Sequence, residues 1–90
     1  MFIEIIGYIA AILTTFSFLP QALKIVRTKD THSISLKMYL MFTSGVFAWL
    51  IYGLLQGLMQ IIIANFITFL LSGAILVMKL KNQKQEKLND

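Results

Sequence analysis

Two residues of this chain carry the chemistry of small-molecule recognition: Trp49, its one tryptophan, and Asn65. An indole presents a flat apolar face that can stack on the C–H face of a sugar ring. A carboxamide both donates and accepts, so it can engage hydroxyls. The same pair also suits a packing tryptophan and an asparagine that hydrogen-bonds a neighbouring helix, and spacing by itself leaves both readings open. Around them, side chains of like character recur at intervals of three and four residues. Asn65, Thr68 and Ser72 form one row, Thr14, Ser17 and Gln21 a second, and Met38, Phe42, Gly45, Trp49, Tyr52 and Gln56 a mixed stripe. Such spacings share a helix face, and in hydrocarbon the polar rows must turn toward protein or water.

A second kind of chemistry is mechanical. Leu19-Pro20-Gln21 interrupts an apolar stretch with the one proline of the chain. Pro20 offers no N–H, so the Phe16 carbonyl lacks its helical partner and the helix is expected to bend, as a hinge or as a static kink. The Gln21 amide needs partners in an apolar setting, and the freed backbone beside it is the nearest supply. Met38 and Phe42 read equally as core residues or, if a pathway runs between helices, as a gate.

The elements that position these residues are membrane spans. At 90 residues, 58% hydrophobic and 13% charged, with a mean hydropathy of +0.78, the chain has too little polar surface to cover a soluble domain of its size. No charge appears from Ile5 to Leu23 or from Met38 to Met78, and the second run is about twice what crosses a ~30 Å hydrocarbon core at ~1.5 Å per residue. It must fold back, and Gln56, Gly57 and Gln60 mark the place. Three helices are expected, at about 5–26, 35–55 and 58–80, followed by a polar tail over 81–90 that is expected to fray. The segment before the first run carries Glu4 and no basic residue, which does not fit a cleaved signal peptide. Small residues at Gly7, Ala11, Gly45, Gly53, Ser72 and Gly73 suit close helix packing.

The composition excludes much. With no cysteine there is neither a disulfide framework nor a thiolate metal site, and the lone His32 lies in a polar connection as a solvated residue. No nucleophile with a base, metal cluster or phosphate loop can be assembled, so no enzyme, metal or cofactor is expected. The net charge of +4 does not indicate nucleic acid, because the basic residues stand at the ends of apolar runs. Lys24, Arg27, Lys29 and Lys37 flank the first connection, and Lys79, Lys81, Lys84 and Lys87 follow the last span; these are all eight. The positive-inside rule then puts the first connection and the C-terminus in the cytoplasm and the N-terminus outside.

The ordered set Leu19-Pro20-Gln21, Ser33-Ile34-Ser35, Met38-Tyr39-Leu40-Met41-Phe42, Trp49, Tyr52-Gly53 and Ala64-Asn65 resembles the PQ-loop family, specifically the bacterial SemiSWEETs. The likeness runs from about Gly7 to Leu80. It implies an all-α integral membrane protein: a three-transmembrane-helix bundle packed in the order first, third, second, and paired as a parallel homodimer around an axis along the membrane normal. The absence of an internal repeat agrees, since three helices alone leave no sugar-sized path. The resemblance assigns Trp49 and Asn65 to a central sugar site, Pro20 and Gln21 to a hinge, Met38 and Phe42 to a cytoplasmic constriction, and Tyr52 to the outer gate.

The implied activity is facilitated diffusion of a mono- or disaccharide, of the glucose or sucrose class, across a bacterial plasma membrane by alternating access. Many members of that family carry an arginine and an acid shortly after the Tyr-Gly pair, where this chain has Gln56 and Leu58; an outer ionic latch therefore does not carry over. No acidic or basic residue lies inside the charge-free runs to carry a coupled proton, so uniport is expected. The alternatives are a PQ-loop transporter of another small solute and a non-transporting membrane subunit whose polar rows bind a partner helix.

Overall fold

The structure is a computed structural model that describes residues 1–89. It contains three helices: α1 (Phe2–Thr28), α2 (Leu36–Gln56) and α3 (Met59–Asn89). Each is long and apolar enough to cross a membrane. α1 and α2 both pack along α3, and their backbones do not approach each other, so the packing order is first, third, second. The result is a slab of 57 × 24 × 15 Å.

Local chemistry sets each helix end. α1 stops where Lys29 turns left-handed (φ 59°, ψ 22°) and its N–H bonds the Ile25 carbonyl at 2.8 Å. Asp30 then turns the chain by accepting from the His32 N–H at 3.1 Å. α2 begins at Ser35, extended at φ −83° and ψ 122°, whose Oγ accepts from the Met38 N–H at 3.2 Å, satisfying one of the unpaired donors of the first turn. The fold-back sits at Gly57 (φ 68°), where glycine tolerates the left-handed backbone. The Gly53 carbonyl receives both the Gly57 and Leu58 N–H groups, and a Cβ on Gly53 would lie 2.9 Å from Ile61 Cγ2. α2 and α3 can leave the turn side by side only because residue 53 has no side chain.

One expectation is corrected. The tail was expected to leave the third helix at about Leu80 and fray, yet α3 runs on to Asn89. Nothing in Leu80–Leu88 stops a helix, and Lys, Gln and Glu are good helix formers. Lys79 and Asn82 also bond the first connection: Lys79 Nζ donates to the Thr31 carbonyl at 2.8 Å, and Asn82 Nδ2 to the Lys29 carbonyl at 3.2 Å and Thr31 Oγ1 at 2.8 Å. Thr31 is buried by this clasp. At ~1.5 Å per residue α3 is half as long again as the hydrocarbon is thick, so its basic end can reach past the hydrocarbon into the headgroup layer.

The buried core is small. Ala22, Tyr39 and Ile75 form it, with Phe18, Ile25, Val26, Ile34, Leu71 and Leu76 packed around. Most large apolar side chains face outward, Leu13 and Phe16 at 65% exposure and Leu55 at 79%. Only hydrocarbon can solvate such a surface without driving association.

Candidate functional site

Trp49 on α2 and Asn65 on α3 line one groove of about 460 Å³, whose other walls are Thr14, Thr15 and Phe18 from α1, Met41, Phe42, Gly45 and Val46 from α2, and Ala64 and Thr68 from α3. The groove exists because α3 separates the flanking helices: α1 and α2 form its sides and α3 its floor. Helical spacing brings Phe42, Gly45 and Trp49 to one wall. Gly45 opens that wall, since a Cβ there would meet nothing within 4 Å. Among the described residues no charged side chain lines it.

The groove can grip a flat, hydroxylated molecule. Trp49 is 56% exposed, and Tyr52 holds it edge-on, with ring centroids 5.6 Å apart and an interplanar angle of 89°. More than half of Trp49 stays accessible beside it. Asn65 Nδ2 donates to the Ile61 carbonyl at 2.9 Å, which orients the amide and leaves Oδ1 and one N–H. Thr14 Oγ1 donates to the Ala10 carbonyl at 2.9 Å and Thr68 Oγ1 to the Ala64 carbonyl at 2.8 Å.

Toward the end of the molecule that carries the first connection, a second hollow of about 510 Å³ opens among Gln21, Lys24, Ile25, Thr28, Asp30, Ser33, Ile34, Ser35, Met38 and Tyr39. Phe42 stands between the two spaces. Its ring is 5.6 Å from Phe18 and 6.1 Å from Tyr39, so α1 and α2 touch through aromatic side chains where a path along the groove would narrow. Met38 lies on the wall of this mouth, one turn before Phe42.

Pro20 lies inside α1, which is helical on both sides of it. Gln21 is exposed, lines the mouth and makes no side-chain hydrogen bond among the described residues; the expected bond to the backbone freed by Pro20 is absent because the amide faces the hollow. His32 is 85% exposed, as expected of a solvated connection, and its Nδ1 lies 3.8 Å from Glu86 Oε1.

The third-helix polar row divides. Asn65 and Thr68 reach the groove, whereas Ser72 is fully buried against α2 and accepts from Thr43 Oγ1 at 3.2 Å. Sequence reasoning missed Thr43, Phe18, Met41, Val46 and Thr15. Phe18 and Met41 had a signal, lying four residues from Thr14 and Gly45 on the stripes already drawn; Thr43 had none, because its partner is 29 residues away. A further hollow of about 310 Å³ between α1 and α3 includes Tyr8, Ile12, Phe16, Leu19, Gln60 and Ile63 but neither Trp49 nor Asn65. Its apolar lining suits a hydrocarbon chain.

The PQ loop repeat family matches residues 2–62. The chain is 49% identical over 82 residues to the sugar transporter SemiSWEET of Leptospira biflexa, spanning 91% of this chain and 96% of that protein. It is 47% identical over 79 residues to the sugar transporter SemiSWEET of Bradyrhizobium diazoefficiens, spanning 88% and 92%. Among solved structures, a SemiSWEET in the inward-open conformation superposes with a TM-score of 0.90 at 40% identity, covering 96% of this chain and 92% of that one. A bacterial homologue of SWEET transporters gives 0.74 at 37% identity, covering 90% and 98%.

Proposed function

Because the chain belongs to the PQ-loop family, in its SemiSWEET branch, we propose that it is a membrane transporter that carries a sugar of the glucose or sucrose class between two copies of itself. The observation that carries this reading is the meeting of Trp49 and Asn65, from different helices, in one uncharged groove. Binding sites enclose most of a ligand's surface, and this groove is open along one side. A second copy facing the first supplies the missing wall and a second Trp49 and Asn65.

In this reading the sugar lies between the two indoles with hydroxyls on Asn65. Phe42, braced by Phe18 and Tyr39, forms with Met38 the constriction toward the mouth. Pro20 and Gln21 form the hinge about which α1 rocks, opening one end as the other closes, and Tyr52 narrows the far end. The likeness to an inward-open relative supports taking the mouth as the open end. All eight basic residues lie in or beside the first connection and the last stretch of α3, which the Lys79 and Asn82 bonds hold together. The positive-inside rule makes that end cytoplasmic and the N-terminus external, in the plasma membrane. Among the described residues no ionisable side chain lines the groove, so in this reading the sugar moves down its own gradient with no proton coupled to it.

The test is co-reconstitution of wild type with Trp49→Ala at varied ratios in liposomes. If both copies must supply Trp49, sugar flux falls as the square of the wild-type fraction. A linear fall would mean that each chain transports alone and would overturn the paired site.

A further inference from the structure

Three polar side chains of the groove share a property that their residue types do not reveal. Thr14, Asn65 and Thr68 each donate a hydrogen bond to a carbonyl of their own helix, at 2.9, 2.9 and 2.8 Å. A threonine hydroxyl has one hydrogen. With that hydrogen held by a carbonyl in an apolar wall, Thr14 and Thr68 offer a ligand only lone pairs. Asn65 adds its carbonyl oxygen and one N–H. Two further polar groups border the groove: the Trp49 indole N–H, a donor, and the Thr15 hydroxyl, which also borders the apolar hollow between α1 and α3. At Thr14 and Thr68 the groove therefore offers a ligand acceptors alone. A sugar is their complement, since each hydroxyl brings a hydrogen.

We propose that Thr68, together with Thr14 across the groove, is a specificity-determining contact that accepts hydroxyl hydrogens from the sugar. Thr68 is the stronger contributor, because it stands one turn beyond Asn65 on the same helix and presents its oxygen to the same part of the ligand. The inference rests on the sugar-transport reading and adds to it a polarity: at Thr68 and Thr14 the groove reads ligand hydroxyls as donors. Fluorine distinguishes this from the opposite polarity, because it is close to a hydroxyl in size, has no hydrogen to donate and is at most a weak acceptor.

The experiment is counterflow in liposomes with wild type, Thr68→Val and Thr68→Ser, using whichever of glucose and sucrose the wild type carries. Derivatives in which single hydroxyls of the glucose unit are replaced by hydrogen or by fluorine serve as competitors. At the position facing Thr68, both replacements are expected to weaken competition by about threefold to tenfold, the range of one neutral hydrogen bond. In Thr68→Val the parent sugar weakens to that level and the penalty of the replacement disappears. Thr68→Ser, which keeps the oxygen, restores it. Such loss of a pairwise effect is what identifies direct contact.

Fluoro sugars that compete as well as the parent at every position would overturn the assigned polarity. A uniform loss over all competitors in Thr68→Val, unrelieved in Thr68→Ser, would overturn the contact in favour of packing. Wild-type flux in those arms leaves the transport reading standing. Absence of wild-type flux of either sugar would remove the transport reading, and this contact with it.

Discussion

Thr43 donates its hydroxyl hydrogen to Ser72 at 3.2 Å in the seam between α2 and α3, and Ser72 is wholly buried there. Hydroxyl bonds between membrane helices contribute about 0.6–1.7 kcal/mol. Thr43→Val keeps the shape of the side chain and removes the donor, so it is expected to lower stability by about 1 kcal/mol with transport retained. Unfolding in detergent micelles measures the first, and liposome flux the second. Loss of flux at full stability would give Thr43 a role in the path.

Gly53 faces the first turn of α3 with no room for a methyl group, whereas Gly73 has open space around its Cα. Gly53→Ala should destabilise the protomer by about 1–3 kcal/mol, the usual cost of overpacking. Gly73→Ala should be neutral or slightly stabilising, because alanine is the better helix former. Thermal denaturation of both variants checks the contrast, and equal melting temperatures would count against the close approach of α2 and α3 at Ile61.

The clasp between α3 and the first connection ties that end of the bundle together. Removing Lys79 and Asn82 together by alanine deletes bonds to Lys29 and Thr31. A charge-assisted bond contributes about 1.5–3 kcal/mol. Hydrogen exchange should therefore accelerate at residues 29–34 by about tenfold or more in the variant and stay unchanged around Trp49. Unchanged exchange in the connection would show that the bonds do not hold it.

Pro20 leaves the Phe16 carbonyl without a helical partner, yet α1 is helical from Phe2 to Thr28. If the weakened turn is where α1 rocks, Pro20→Ala should slow sugar exchange by about tenfold while altering sugar affinity by less than about twofold. Comparing exchange rates with binding titrations separates the two effects. Equal turnover in the variant would make the proline a static bend.

Much of this was legible in the sequence for a physical reason: charge cannot enter hydrocarbon cheaply, so charge-free runs marked the spans and the glycine between two glutamines marked the fold-back. The groove stripe of α2 was legible because a helix repeats every three to four residues. The division of the α3 row was not. Asn65, Thr68 and Ser72 look alike in sequence, and only the packing angle of α2 against α3 decides that Ser72 meets Thr43 while its neighbours meet the groove. The extension of α3 past Leu80 was also hidden, because its bonds to Lys29 and Thr31 join residues about fifty positions apart. Gln21 was read as a partner for its own backbone, and the open mouth beside it claimed the amide instead.

If the proposed paired site holds, Trp49→Ala and Asn65→Ala should each abolish sugar flux without separating the two copies, since one removes the proposed stacking face and the other the oriented amide. Chemical cross-linking checks assembly, and liposome exchange checks flux. Wild-type flux in either variant would remove that residue from the site.

The most direct measurement is counterflow of labelled glucose and sucrose into liposomes containing only this protein, with and without a pH gradient. The groove with Trp49 and Asn65 and no ionisable lining leads to accumulation of at least one of the two sugars, equal in the presence and absence of the gradient. No counterflow of either sugar, or counterflow that follows the pH gradient, would contradict it.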